Sequence, residues 1–173
     1  YLLRNDEGVF TDVTESVCPA LKNIGMVTSA VSMDFDGDGR EDLVVAGEWM
    51  PLRFFKNSNG KLIEVTADTG LKEINGMWRS LVAADMDGDG DLDLVAGNLG
   101  LNSSYRVSAE RPMELFATDI DGNGSIDPLL FYYVKTKDGS MKSRPAINRS
   151  QLSYQVPVMK KRLLSHEDYA GAG

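Results

Sequence analysis

Short apolar runs alternate with polar, glycine-rich turns over the first 135 residues of the chain. Runs of Val, Leu, Phe and Tyr between turn signals are typical of β-strands, and two such runs joined by a short glycine-rich loop predict a hairpin. The pattern therefore predicts an all-β fold built from hairpins. Three hairpins have predicted strands at 29–33 and 43–46, at 81–84 and 92–96, and at 114–118 and 129–134.

Each predicted hairpin encloses an acidic nonapeptide, which we name loop 1 (34–42), loop 2 (85–93) and loop 3 (119–127). Positions 1, 3 and 9 carry Asp, position 5 carries Asp or Asn, and positions 4 and 6 are glycine, which permits a tight turn. Calcium takes six to eight oxygens from carboxylates, amides, backbone carbonyls and water. We therefore predict up to three Ca²⁺ sites. Their candidate residues are Asp34, Asp36, Asp38, Arg40 and Asp42; Asp85, Asp87, Asp89, Asp91 and Asp93; and Asp119, Asp121, Asn123, Ser125 and Asp127.

Ordinary polar turns are the competing explanation for these loops, because hairpin turns also favour Asp, Asn and Gly. Two carboxylates about 4 Å apart near a surface repel by about 4 kcal/mol, which favours a bound cation. An EF-hand is excluded, since it needs helical flanks and a Glu at position 12. That position holds Val45, Ala96 and Leu130. We expect the position-9 Asp to take the role of that Glu from the returning strand.

The hairpins belong to a longer internal repeat. Gly25 and Asp34 recur as Gly76 and Asp85, 51 residues later in each case, and the segment 10–14 recurs with an offset of 52. One unit comprises an inner hairpin (about 27–46) and strands at 51–55 and 61–66, separated by a turn at 57–60. A period of about 40 to 55 residues with four short strands is typical of propeller blades.

The Asp-x-Asp-x-Asp-Gly-x-x-Asp loops and the segments Leu43–Gly47 and Leu92–Gly97 resemble the FG-GAP/VCBS repeats of integrin-α-like calcium propellers. The segments 98–102 and 155–170 are similar to bacterial surface members of the ASPIC/UnbV-associated type. There is no Phe-Gly opening, which moves the match toward the VCBS branch. The resemblance implies a partial β-propeller of four-stranded blades with calcium-binding inner hairpins. It also implies a cell-surface or secreted module for adhesion or ligand binding.

The predicted organisation has two parts, blades over 1–135 and a helical insertion or tail over 136–173. Within the first part we expect the outer hairpin of a preceding blade (1–14), a complete blade (24–70) and further calcium hairpins (76–135). The hairpin at 113–134 either completes the second blade or opens a third, and we favour a third because it has its own acidic loop. We expect the remaining blades, and any export signal, in a longer chain.

Composition limits the classes of partner that the chain is expected to bind. The 173 residues carry a net charge of −8, mostly from the acidic loops, and no basic stripe that would neutralise nucleic-acid phosphates. Lys160–Arg162 is the one basic cluster, expected on the solvated face of a helix whose buried side carries Met159, Leu163 and Tyr169. No apolar stretch reaches the length of a membrane span. Because acidic loops of this kind fill where calcium is abundant, we expect an extracellular, cell-surface or periplasmic protein.

Candidate catalytic chemistry is sparse. Cys18 is the single cysteine and is expected to be a small buried hydrophobe, and His166 is the single histidine. His166 lies beside Glu167 and Asp168, but no residue supplies a nucleophile partner, so a surface histidine is the preferred interpretation. We expect no enzymatic activity from this segment; a scaffold of a larger extracellular enzyme is one alternative.

The ligand of the module is expected to be an extracellular protein or a glycan. Trp78 precedes loop 2 and is expected in the core. Trp49 follows a strand exit, where an aromatic ring can stack on a sugar, although core packing is again the preferred interpretation. Asn98, Asn102 and Tyr105 lie in the longest loop-like stretch and are candidates for a ligand rim. A carbohydrate-binding propeller is therefore the second alternative.

Overall fold

The structure, a computed structural model, describes residues 1–100, 103–105, 107–165, 167 and 169. The chain divides into two compact units, Tyr1–Gly100 and Leu101–Gly173, which we name the N-terminal and C-terminal units. The strands are β1 (Leu3–Asp6), β2 (Val9–Asp12), β3 (Met26–Met33), β4 (Asp42–Met50), β5 (Arg53–Ser58), β6 (Lys61–Glu64), β7 (Gly76–Ala84), β8 (Asp93–Asn98), β9 (Glu114–Thr118), β10 (Asp127–Lys135) and β11 (Met141–Pro145). The helices are α1 (Thr14–Val17) and α2 (Arg149–Gln155), with 3₁₀ turns at Pro19–Leu21, Thr66–Thr69 and Pro157–Lys161.

The described strands pair antiparallel throughout, and the chain is mostly β, which is consistent with the predicted all-β class. The three predicted hairpins are confirmed. In the N-terminal unit β3, β4, β5 and β6 form the expected four-stranded meander. The end of β4 also pairs with β7, where Glu48 faces Met77 and Met50 faces Gly76, and this joins the next hairpin to the sheet. Among the described residues no sheet closes into a ring.

The four-stranded meander is covered on both faces. Alternate residues of a strand point to opposite sides, and β4 is apolar on both. Val44 packs in a cluster with Phe54 and Leu81, while Val45 packs in a second cluster with Cys18 and Phe55. Cys18 is therefore the buried hydrophobe that the sequence predicts. Trp78 packs against the first cluster, as expected.

The hairpin β1–β2 repeats the geometry of β5–β6. Both hairpins turn through two residues with positive φ, Glu7-Gly8 in the first and Asn59-Gly60 in the second. This backbone matches the right-handed twist of paired strands. After each hairpin a threonine hydroxyl, of Thr14 or Thr66, accepts a backbone N–H from the beginning of the same hairpin, at 2.7 and 3.0 Å. The offset of 52 residues is therefore a structural repeat.

The C-terminal unit contains the sheet β9–β10–β11 and helix α2. Leu129 of β10 packs with Leu152 and Val156 from the helix and with Leu163. Met159 and Tyr169 pack against this cluster, as the helical spacing predicts. The segment 136–173, predicted as a helical insertion or tail, contains helix α2 and also strand β11, which extends the sheet.

Lys160, Lys161 and Arg162 are exposed, as the sequence predicts for this basic cluster. The compact units divide at residue 100, whereas the blades were predicted to extend to residue 135. Within the described ranges, no helix is both long and apolar enough to span a membrane.

Candidate metal centres

Each acidic loop brings three carboxylates together. Within each group, one carboxylate oxygen from each of positions 1, 3 and 9 lies within 4.8 Å of the others. The groups, which we name the triads, are Asp34, Asp36 and Asp42; Asp85, Asp87 and Asp93; and Asp119, Asp121 and Asp127. Three converging hard oxygen donors suit a hard divalent cation, with carbonyls and water completing its shell.

Backbone N–H groups hold the position-1 carboxylate in place. Asp34 accepts from the amides of Asp38 and Gly39 at 3.1 and 2.8 Å. The equivalent Asp85 and Asp119 accept from the same part of their own loops. The turn requires positive φ at both loop glycines, which ranges from +72° to +99° across the three loops. A residue with a Cβ is strained there, which explains glycine at positions 4 and 6.

Two further hydrogen bonds recur in every loop. The position-3 carboxylate accepts from the position-5 amide, at 3.2 Å between Asp36 and Asp38. The position-5 side chain accepts from the position-7 amide, at 3.1 Å between Asp38 and Arg40. Loops 2 and 3 repeat both bonds through Asp87, Asp89 and Asp91 and through Asp121, Asn123 and Ser125. Three unconnected segments therefore share one conformation.

The structure separates the roles of the candidate residues. Positions 1, 3 and 9 form the triads, and the position-5 carboxylates Asp38 and Asp89 lie outside them. At position 7, the Arg40 guanidinium binds Asp38 and the carbonyl oxygen of Asn57. Since Arg40 has no side-chain oxygen, it can offer a metal only its backbone carbonyl.

The position-9 carboxylate lies under the loop. Asp42 and Asp127 are 2% and 5% exposed, and Asp93 is half-buried. Asp42 accepts from the amides of Phe35 at 3.3 Å and Asn57 at 2.7 Å, and Asp127 accepts from that of Ile120 at 3.1 Å. Among the described side chains, no Lys or Arg pairs with either. A buried negative charge without a cation is costly, so a metal ion fits this donor set.

The loops differ in how their charge is balanced. The Lys56 ammonium lies 3.0 Å from Asp38 and also contacts Asp36. The hydrogen bond from Lys56 lowers the pKa of Asp38. In loop 2 the neighbouring charge of Asp89 instead raises the pKa of Asp91. Sequence reasoning missed Lys56, because its contact joins β5 to a loop far away along the chain.

The residues that the sequence suggested for ligand binding or catalysis are not part of the triads. Trp49 is half-buried at a β-bulge with φ +62°. The Asn98 side-chain oxygen accepts from the Met77 amide at 3.1 Å, which gives it a structural role. Tyr105 makes an edge-to-face contact with Tyr132. Asn102, His166 and Asp168 lie outside the described residues.

Comparison with known families gives one match. The model of the FG-GAP-like repeat matches residues 34–96, from the first residue of loop 1 into β8. This segment contains loops 1 and 2 and most of the four-stranded meander. No curated protein and no solved structure matches the chain.

Proposed function

Since residues 34–96 match the model of the FG-GAP-like repeat, we propose that the chain is a β-propeller-like module of an extracellular protein and that Ca²⁺ stabilises its hairpins. The observation that carries this proposal is the triad, formed with the same spacing in three loops. The buried position-9 carboxylates add a need for positive charge.

The donor set favours calcium among the common metals. The triads contain carboxylate oxygens and neither His nor Cys, whereas zinc sites usually use nitrogen and sulfur. Calcium accepts irregular oxygen shells, while magnesium demands a near-ideal octahedron. Members of this repeat family also bind calcium. Each triad joins the two ends of a loop, so metal binding contributes to folding.

Calorimetric titration of the full chain with CaCl₂ tests the proposal. We expect three bound ions, and one fewer in each of the variants Asp36→Asn, Asp87→Asn and Asp121→Asn, which remove one triad carboxylate. Asp6→Asn is the control, because Asp6 pairs with Arg4 outside the loops. Absence of binding, or a stoichiometry that the loop variants leave unchanged, contradicts the proposal.

The wider role that we propose is adhesion or ligand binding at a cell surface or in the secreted fraction, without catalysis. The triad carboxylates are committed to metal in this proposal, which removes them from acid–base chemistry. Loops on a rigid β-scaffold are common binding surfaces. An extracellular protein is the proposed partner, with further blades in the same chain completing the scaffold; neither nucleic acid nor membrane insertion forms part of the proposal.

A glycan ligand is the second candidate, favoured by Trp49. Positive φ is a rare conformation for a bulky side chain, and such strain is concentrated at binding sites. A bulge also redirects the side chain that it carries. A glycan array therefore compares the chain with Trp49→Ala and with Trp49→Phe, which keeps a ring. Glycan binding that is lost in the first variant and kept in the second supports this candidate, and absence of binding by all three favours a protein partner.

A further inference from the structure

Loop 1 differs from the other two loops because a lysine of a neighbouring strand, Lys56, contacts two of its candidate ligands. We propose that Lys56 competes with calcium for Asp36 and Asp38, so that loop 1 binds calcium more weakly than it would without the lysine. This inference rests on the proposed function, since it concerns the affinity of one of the proposed sites.

Strand β5 places Lys56 at the loop. The Asn57 amide donates to Asp42 at 2.7 Å, and the Asn57 side-chain amide donates to the Glu41 carbonyl at 3.0 Å. These two hydrogen bonds hold the end of β5 beside loop 1. Lys56, the preceding residue, then reaches two loop carboxylates with its ammonium group.

The side chains of the two carboxylates are partly enclosed. The side chain of Asp36 is 25% exposed and that of Asp38 is 19% exposed. Asp38 also receives the Arg40 guanidinium, so two cations converge on it. In the part of the chain that the structure describes, no ion pair reaches a carboxylate of loop 2 or loop 3. Among the described residues, ion pairing of the loop carboxylates with Lys or Arg is therefore specific to loop 1.

Asp36 belongs to the triad, so a calcium ion in loop 1 must displace or share the carboxylate that Lys56 contacts. The ammonium group then returns to water, or remains close to a divalent cation that repels it. Both results weaken binding relative to a loop without the lysine. Two partly exposed ion pairs correspond to an affinity penalty of about tenfold.

A chain with loop 1 as its single intact loop isolates the effect. Asp87→Asn and Asp121→Asn together disable loops 2 and 3. Lys56→Met is added to this double variant, because methionine keeps the aliphatic stem without the charge. Lys72→Met is the matched control, since Lys72 pairs with Glu73 at 3.6 Å outside the loops. Calorimetric titration with CaCl₂ measures each association constant, and circular dichroism confirms that each variant is folded.

We expect Lys56→Met to raise the association constant about tenfold and Lys72→Met to change it less than about twofold. Lys56→Gln is a second neutral variant with the same expected direction and serves if the Met variant does not fold. Equal constants with and without the lysine charge overturn the inference and leave the proposed function standing. Absence of calcium binding by the double variant and by its Lys56 derivatives overturns the proposed calcium site in loop 1 and the inference together.

Discussion

Glycine at positions 4 and 6 of each loop performs a purely conformational role. A Cβ built on Gly88 meets no heavy atom within 4 Å, so space is available, but φ is +80°. Substitution there strains the backbone without creating a clash. The cost of the left-handed conformation depends on the residue, and Asn tolerates it better than Ala does.

Gly88→Ala is therefore expected to lower the free energy of unfolding by about 1 kcal/mol, and Gly88→Asn by less. Urea unfolding of both variants in chelator measures the effect without a contribution from metal. Equal losses in the two variants would indicate a clash rather than backbone strain.

Asp42 combines two tasks, accepting backbone hydrogen bonds and contributing to the first triad. Asp42→Asn removes the charge and leaves one amide without an acceptor. In chelator we expect a small change in the free energy of unfolding, because the lost hydrogen bond is offset by removal of a buried, unpaired charge. In calcium we expect a larger loss, because a metal ligand is removed as well. Denaturant unfolding in both buffers checks this, and equal losses would show that Asp42 has a structural role alone.

At the level of elements, a bidentate ion pair connects β5 and β6, the last two strands of the meander. The Arg53 guanidinium donates to both carboxylate oxygens of Glu64 at 2.5 and 2.6 Å and so lowers the pKa of that carboxyl group. A depressed folded-state pKa gives stability that is present above the unfolded pKa, about 4.3, and is lost as the pH falls through the folded value.

Glu64→Gln should then cost about 0.5–1 kcal/mol at pH 7, and the cost should disappear in strong acid once both states are protonated. Urea unfolding in chelator across this range measures the difference from the unsubstituted chain. Glu15→Gln is the control, because the Glu15–Lys22 pair is largely exposed. A cost that does not change with pH would assign the effect of Glu64→Gln to packing.

Local signals explain which elements the sequence could predict. The hairpins follow from apolar runs and from Asp and Gly at fixed offsets, all contained within one segment of chain. Strand β11 was missed because its sequence, Met-Lys-Ser-Arg-Pro, has weak β-propensity and relies on pairing with β10. The beginning of α2 could have been found, since Asn148 and Gln151 form a capping box with recognisable spacing. No sequence pattern near Lys56 indicates its contact with loop 1, so this contact could not be predicted.

For the whole molecule, the repeat predicts which positions are equivalent, but equivalent positions differ in their burial in the structure. Val44 on β4 and Val95 on β8 are separated by the repeat offset of 51 residues. Val44 is fully buried under the following hairpin, whereas Val95 is 47% exposed and lies opposite Val82, another exposed residue. Sequence periodicity identifies both as inner-strand residues but cannot show which one is covered.

Val44→Ala should cost about 2 kcal/mol, because it removes buried methyl groups and leaves a cavity, while Val95→Ala should cost less than about 1 kcal/mol. Urea unfolding of the two variants provides the comparison. Equal costs would indicate that the outer face of β8 is covered in solution.

Bound calcium is the proposed source of much of the stability of this fold. Thermal unfolding of the full chain in excess calcium and in chelator, with the variant Asp36→Asn/Asp87→Asn/Asp121→Asn beside it, tests that dependence most directly. Calcium at about 100 times its dissociation constant should raise the unfolding midpoint of the unsubstituted chain by about 5 °C or more and leave that of the triple variant nearly unchanged. An unsubstituted chain that melts at the same temperature in both buffers would contradict the account.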